Sequence, residues 1–177
     1  EEIFCAKAHL QLKKIYGNIL TVIIPRHIDR IQTIKDDLLN LNLKVNLYSK
    51  IDQVDNNTDI LLVDAYGEVS KFYSISKCVF VGGSLIKHGG QNPIEPSRFG
   101  CKIFHGPHIN NFKEIYEYLK SLGVTNQIYT TEDLNQSLVE EFKTTKINNN
   151  QIIEQIDNYG LHILNCVIKD LKKYISI

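Results

Sequence analysis

The stretch from Cys78 to His108, CVFVGGSLIKHGGQNPIEPSRFGCKIFHGPH, constrains this chain more than any other, because it gathers six of the ten glycines and three of the four prolines. An apolar run, Cys78 to Val81, breaks into Gly82-Gly83-Ser84 and then into Gly89-Gly90-Gln91-Asn92-Pro93. A second, Lys102 to Phe104, breaks into His105-Gly106-Pro107-His108. This order predicts strand, glycine loop, helix start, strand, loop. Glycines placed directly after a buried strand let backbone N–H groups close on an anion, and a helix N-terminus behind them adds partial positive charge.

The flanking sequence alternates in the same way. Glu2 to Ile15 spaces Ile3, Ala6, Leu10, Leu12 and Ile15 as a helix face closed by Gly17, and Asn18 to Ile24 is a β-branched, almost wholly apolar strand. A helix over Asp29 to Leu41, a strand over Lys44 to Tyr48 and a polar loop from Asp52 to Asp59 lead to the buried strand Ile60 to Val63. Glu68 to Ser76 reads as a helix. Beyond the central stretch come a helix over Asn110 to Leu122, an edge strand over Gln127 to Tyr129 and a helix from Thr131. An Asn148-Asn149-Asn150 linker then precedes a closing helix over 151–177, with Ile152, Ile156, Leu161, Leu164, Ile168 and Leu171 on its apolar face and Gly160 as a place for a kink. Strands alternating with helices imply an α/β fold, a Rossmann-like doubly wound parallel sheet.

A chain of 177 residues suits one domain that buries roughly 70% of its unfolded surface. Twenty basic and twenty acidic residues cancel, so no long-range field favours nucleic acid or an anionic membrane, and any anion site must be local. The four cysteines are scattered without Cys-x-x-Cys spacing, which suggests a reducing compartment. No apolar run approaches the ~20 residues of a membrane span, so the chain is expected to be soluble as given. Methionine is absent and the first residues already read as helix, which suggests a domain excised from a longer protein.

Four segments of unusual chemistry each begin where a strand ends, and in an open α/β sheet those ends share the edge where ligands bind. Pro25 presents Arg26, whose planar fork can hold two phosphate oxygens; alone, Arg26 could equally pair with Asp29. Tyr66-Gly67-Glu68 offers a backbone approach and a carboxylate, or merely a turn and a first-turn acid. In Asn92-Pro93-Ile94-Glu95-Pro96, Asn92 and Glu95 have capping-box spacing, with Pro93 at the first helical position. Alternatively the helix starts at Pro96 and leaves Glu95 free to accept vicinal ribose hydroxyls. Ser84, Gly89 and Gly90 are further ligand contacts to consider, and Lys87 and His88 could meet anions. His88, His105, His108 and Cys101 lack the spacing of a zinc site, so no metal is expected. Ser84 lacks the setting of a serine nucleophile.

These motifs together, GGSLIKHGGQNPIEP with PRH and DAYGE upstream, resemble the carboxyl-terminal half of the 3-deoxy-D-manno-octulosonic acid (Kdo) transferases, which are GT-B glycosyltransferases. The resemblance runs from about residue 1 to 122 and more loosely to the end; Gln91 stands where the family usually has histidine, and Tyr66 where it often has methionine. It implies that Pro25, Arg26, Tyr66, Gly67, Glu68, Asn92, Pro93, Ile94 and Glu95 bind the CMP part of CMP-Kdo, the donor substrate, with no cofactor. It also implies inverting transfer to a lipid A precursor at the cytoplasmic face of the bacterial inner membrane. The catalytic base, the lipid-acceptor site and the membrane anchor would lie in an amino-terminal domain absent here, leaving no catalytic residue in this chain. A UDP-sugar transferase or epimerase, or a non-catalytic interaction domain, are the competing readings.

Overall fold

The structure, a computed structural model, describes residues 1–144 and 150–174. The strands are β1 (Thr21–Ile23), β2 (Val45–Leu47), β3 (Ile60–Leu62), β4 (Cys78–Val81), β5 (Lys102–His105) and β6 (Thr125–Gln127). The helices are α1 (Glu2–Lys13), α2 (Ile31–Leu39), α3 (Val69–Ile75), α4 (Ile94–Arg98), α5 (Lys113–Ser121), α6 (Thr131–Lys143) and α7 (Asn150–Lys172). The expected α/β alternation is present and, among the described residues, every strand pair is parallel and pairing is confined to two three-stranded ladders, β1-β3-β2 and β4-β5-β6.

Helix α1 joins the two. Its Ala6 packs into the core of the first ladder with Ile23, Ile34, Leu38 and Ile60, while Ala8 packs with Phe104, Ile128 and Leu134 of the second. The Phe4 ring lies 5.7 Å from that of Phe80 on β4. Two alanines let one helix approach both ladders closely. All three residues of β3 are buried, as a central parallel strand requires.

Several boundaries move for physical reasons. The expected polar loop 52–59 ends buried: the Asp59 carboxylate accepts from the Lys44 backbone N–H at 2.9 Å and from Lys13, with His9 Nε2 at 3.5 Å. Burial pushes the His9 imidazole below its usual range against the opposing pull of Asp59. The last strand starts at Thr125 rather than Gln127, because Thr125 is buried and its hydroxyl donates to the Tyr116 carbonyl at 3.4 Å. The helix expected from Thr131 starts there, capped by Thr130 and Asp133 in a reciprocal capping box.

The closing helix differs most. It runs unbroken through Gly160, and of its expected core face only Ile156 is buried, with Ile152 packed beside it. Leu161, Leu164, Ile168 and Leu171 are between 40% and 56% exposed, because the helix extends past the body that covers its first half. That first half is held by Arg98–Asp157 at 2.8 Å and by the stacked rings of Tyr118 and Tyr159. Asn148 and Asn149 of the expected linker, and residues 175–177, lie outside the described residues. No described helix is long and apolar enough to cross a membrane.

Candidate functional site

In a parallel ladder all carboxyl ends lie on one edge, so the segments after β1 and β3 share a rim, as do those after β4 and β5. On the first rim Arg26 is exposed, and its guanidinium has no partner among the described residues. It does not pair with Asp29. Tyr66 is 75% exposed, and Gly67 takes a left-handed φ of 80° with open space where a Cβ would stand. Glycine is the residue that keeps this turn unstrained and leaves the backbone approachable.

The acids on this rim each have internal partners. Glu68 stands directly before α3 without capping it, and its Oε2 takes Lys71 Nζ at 2.5 Å and the Tyr48 hydroxyl at 3.2 Å. The Lys71 hydrogen bond, then that of Tyr48, hold its carboxyl below the usual range. Asp64 accepts from the Ser49 backbone N–H at 2.9 Å and its hydroxyl at 2.5 Å. Partial burial pushes the Asp64 carboxyl up, but the Ser49 bonds win and hold it low.

The second rim corrects both helix starts considered for Asn92 to Pro96. Helix α4 begins at Ile94 with Pro93 as its N-cap, and Asn92 Oδ1 accepts from the Ile94 N–H at 3.0 Å in a local turn. Pro96 sits in the first turn, where a missing N–H breaks no intrahelical bond. Glu95 makes no capping box. Its Oε1 accepts instead from the Ser70 hydroxyl of α3 at 2.8 Å. Because α3 follows the first ladder and α4 belongs to the second, that bond draws Tyr66-Gly67-Glu68 and Asn92 to Glu95 together. Burial, and then the nearby Glu95 charge, push the Tyr73 phenol of α3 up to about 12.

A groove of about 500 Å³ runs beside α4, lined by Asn92, Ile94, Glu95 and Arg98 and by Ile153 and Asp157 of α7. No sequence motif points to Arg98, Ile153 or Asp157, since none links α4 to a helix so far along the chain. Only the Arg98–Asp157 charge pair, once the helices are placed, makes their proximity intelligible.

The glycine loop is an anion cradle, and this chain fills it. The backbone N–H groups of Gly83, Ser84 and Leu85 donate to the Glu1 carboxylate at 2.5, 3.0 and 2.7 Å. Ser84 is fully buried: its hydroxyl donates to the Val81 carbonyl at 2.6 Å and accepts from the Gly106 N–H at 2.8 Å. Gly89 and Gly90 are also buried, the Gly90 N–H on the Gly83 carbonyl at 2.8 Å and the Gly89 carbonyl under the Asn111 N–H at 3.0 Å. Ser84, Gly89 and Gly90 therefore brace the loop from within. His105, expected in the loop, is the last residue of β5. It is buried 4.4 Å from the Tyr116 ring, with Nδ1 2.7 Å from the Gly106 carbonyl. Burial pushes its imidazole below the usual range despite that bond. No cluster of metal-ligating side chains occurs among the described residues.

No protein-family model matches the chain. It is 33% identical over 164 residues to the 3-deoxy-D-manno-octulosonic acid transferase of Haemophilus influenzae, covering 93% of this chain and 38% of that protein. It is 23% identical over 169 residues to the enzyme of the same name from Aquifex aeolicus, covering 96% of this chain and 45% of that one. Among solved structures, the C-terminal CMP-Kdo binding domain of WaaA from Acinetobacter baumannii superposes with a TM-score of 0.68 at 24% identity, over 89% of this chain and 80% of that one. The chain spans less than half the length of these two relatives. Along nearly all of its own length it is a homologue of part of the 3-deoxy-D-manno-octulosonic acid transferases.

Proposed function

We propose that this chain is the donor-binding part of a glycosyltransferase that moves Kdo from CMP-Kdo to a lipid A precursor in lipopolysaccharide biosynthesis. The observation that carries the proposal is an exposed rim arginine without a hydrogen-bond or ion-pair partner among the described residues, in a chain that matches a Kdo transferase over 93% of its length. Arg26, presented by Pro25, holds the cytidylate phosphate with its fork of donors. As the glycosidic bond breaks, negative charge grows on that phosphate, and the guanidinium stabilises the departing CMP. Glu95 engages Ser70 through Oε1, which leaves Oε2 to accept from a ribose hydroxyl. Asn92, set by Pro93 and Ile94, lies beside it. Tyr66 offers an exposed ring face to a base, and Gly67 a close backbone approach.

In this proposal Glu68 orders the rim through Lys71 and Tyr48 and keeps its remaining oxygen for the nucleotide. The donor is a substrate, and no cofactor is invoked. Inversion, the catalytic base, the lipid acceptor and attachment to the cytoplasmic face of the inner membrane are assigned to the rest of a longer enzyme.

Titrating the chain with CMP and UDP side by side tests the proposal. Binding of CMP with no heat from UDP is the expected result. The reverse preference favours a UDP-sugar transferase or epimerase. Binding of neither, with an unchanged circular dichroism spectrum, favours an interaction domain.

A further inference from the structure

We infer that Glu1 is a positioning residue for the donor site, a carboxylate that locks the glycine loop and through it the Asn92 to Glu95 segment. This rests on the donor-binding reading above. Three consecutive amides, Gly83, Ser84 and Leu85, converge on one carboxylate whose side chain is only 15% exposed. Successive N–H groups aimed at one point form an anion nest, and bonds to an ionised acceptor are roughly twice as strong as neutral ones. Removing the acceptor leaves three converging donors with no internal partner, and the loop must open to bring them to water.

The consequence travels by short steps. The carbonyl of Gly83 accepts from the Gly90 N–H at 2.8 Å, and Gly90 is two residues before Asn92. The Gln91 carbonyl between them is tied to the Tyr116 hydroxyl at 3.0 Å. A shift at Gly83 is therefore passed to the start of the segment that carries Asn92 and Glu95. On the other side Glu2 reaches Arg30 at 3.2 Å, four residues after Arg26. Two adjacent carboxylates at the head of α1 thus hold one loop from each ladder. The Glu2–Arg30 pair is half exposed and weak, so the Glu1 seat dominates.

The test combines amide NMR with CMP titration of the chain and of its Glu1→Ala and Glu1→Gln variants. In Glu1→Ala the Gly83, Ser84 and Leu85 resonances should move and CMP should bind about tenfold more weakly. Formate, a carboxylate small enough to enter the empty nest, should restore both, which a mere loss of fold stability would not allow. Glu1→Gln keeps one acceptor oxygen and should fall between the two, and it serves if Glu1→Ala does not fold. Unchanged CMP affinity in the variants, or three amide resonances that do not move, would overturn the inference while leaving the donor reading intact. If the parent chain binds no CMP, the donor reading falls instead, and positioning for that donor falls with it.

Discussion

The two rims of this molecule contain similar materials and use them oppositely. After β4 and β5, the glycine loop has its donors and acceptors engaged inside the chain: Glu1 on three amides, Ser84 on Val81 and Gly106, Gly83 on Gly90. After β1 and β3, Arg26 and Tyr66 stand in solvent, and the turn at Gly67 has open space above it. A polar group already engaged gains little from a ligand, whereas an exposed cation with no partner among the described residues gains a charge-assisted bond on first contact. Glycine richness marks where backbone segments approach one another, and a site is better sought where they leave something over.

If the second rim is a brace, its closest backbone contact should be intolerant of added volume. A Cβ on Gly106 would collide with the Ser84 carbonyl group and stand 2.6 Å from the Leu85 nitrogen, all backbone atoms that cannot swing aside. Gly106→Ala should therefore cost about 3 kcal/mol, the upper end for overpacking. At roughly 2–4 °C per kcal/mol for a chain of this size, thermal unfolding should move down by about 6–12 °C. A Tm within a degree of the parent would show that the loop can open, and the contrast between the rims would be lost.

The first rim makes the opposite forecast. Arg26→Ala removes no hydrogen bond or ion pair among the described residues, so its Tm should match the parent, while CMP affinity should fall by about 2 kcal/mol, close to thirtyfold, for loss of a charged hydrogen bond. Differential scanning fluorimetry and calorimetric titration of one preparation give both numbers. A destabilised variant with normal affinity would mean that Arg26 serves the fold after all.

How much of this could be read from the residues alone follows from the distance over which each feature is decided. Cys78–Val81 was legible to the residue because an apolar run bounded by Lys77 and Gly82 needs no tertiary information. The parallel α/β class was equally plain from alternation. The seat of Glu1 was not, since 82 residues separate it from Gly83 and nothing local distinguishes a filled anion nest from an empty one. Likewise α7 has a continuous apolar face, and its periodicity fits a covered helix as well as one covered only as far as Ile156. Asn92 and Glu95 had the spacing of a capping box, but the competing donor, Ser70, lies 25 residues away from Glu95. Local pattern fixed which residues were unusual, and long-range partners decided what each of them does.

That last bond gives the finest test, because it is where the two rims meet. Ser70 is exposed, so losing its hydroxyl should change stability by no more than about 0.5 kcal/mol. Its other role is to hold one Glu95 oxygen at 2.8 Å and so to aim the second. In Ser70→Ala the carboxylate keeps its charge but gains rotamer freedom, which must be given up again when a hydroxyl is bound, at about 0.5–1 kcal/mol. CMP should then bind two- to fivefold more weakly, while 2′-deoxy-CMP, which lacks one of the paired hydroxyls, should lose less. If both nucleotides weaken equally, Glu95 does not meet the ribose, and the bond between α3 and α4 serves only to hold the two helices together.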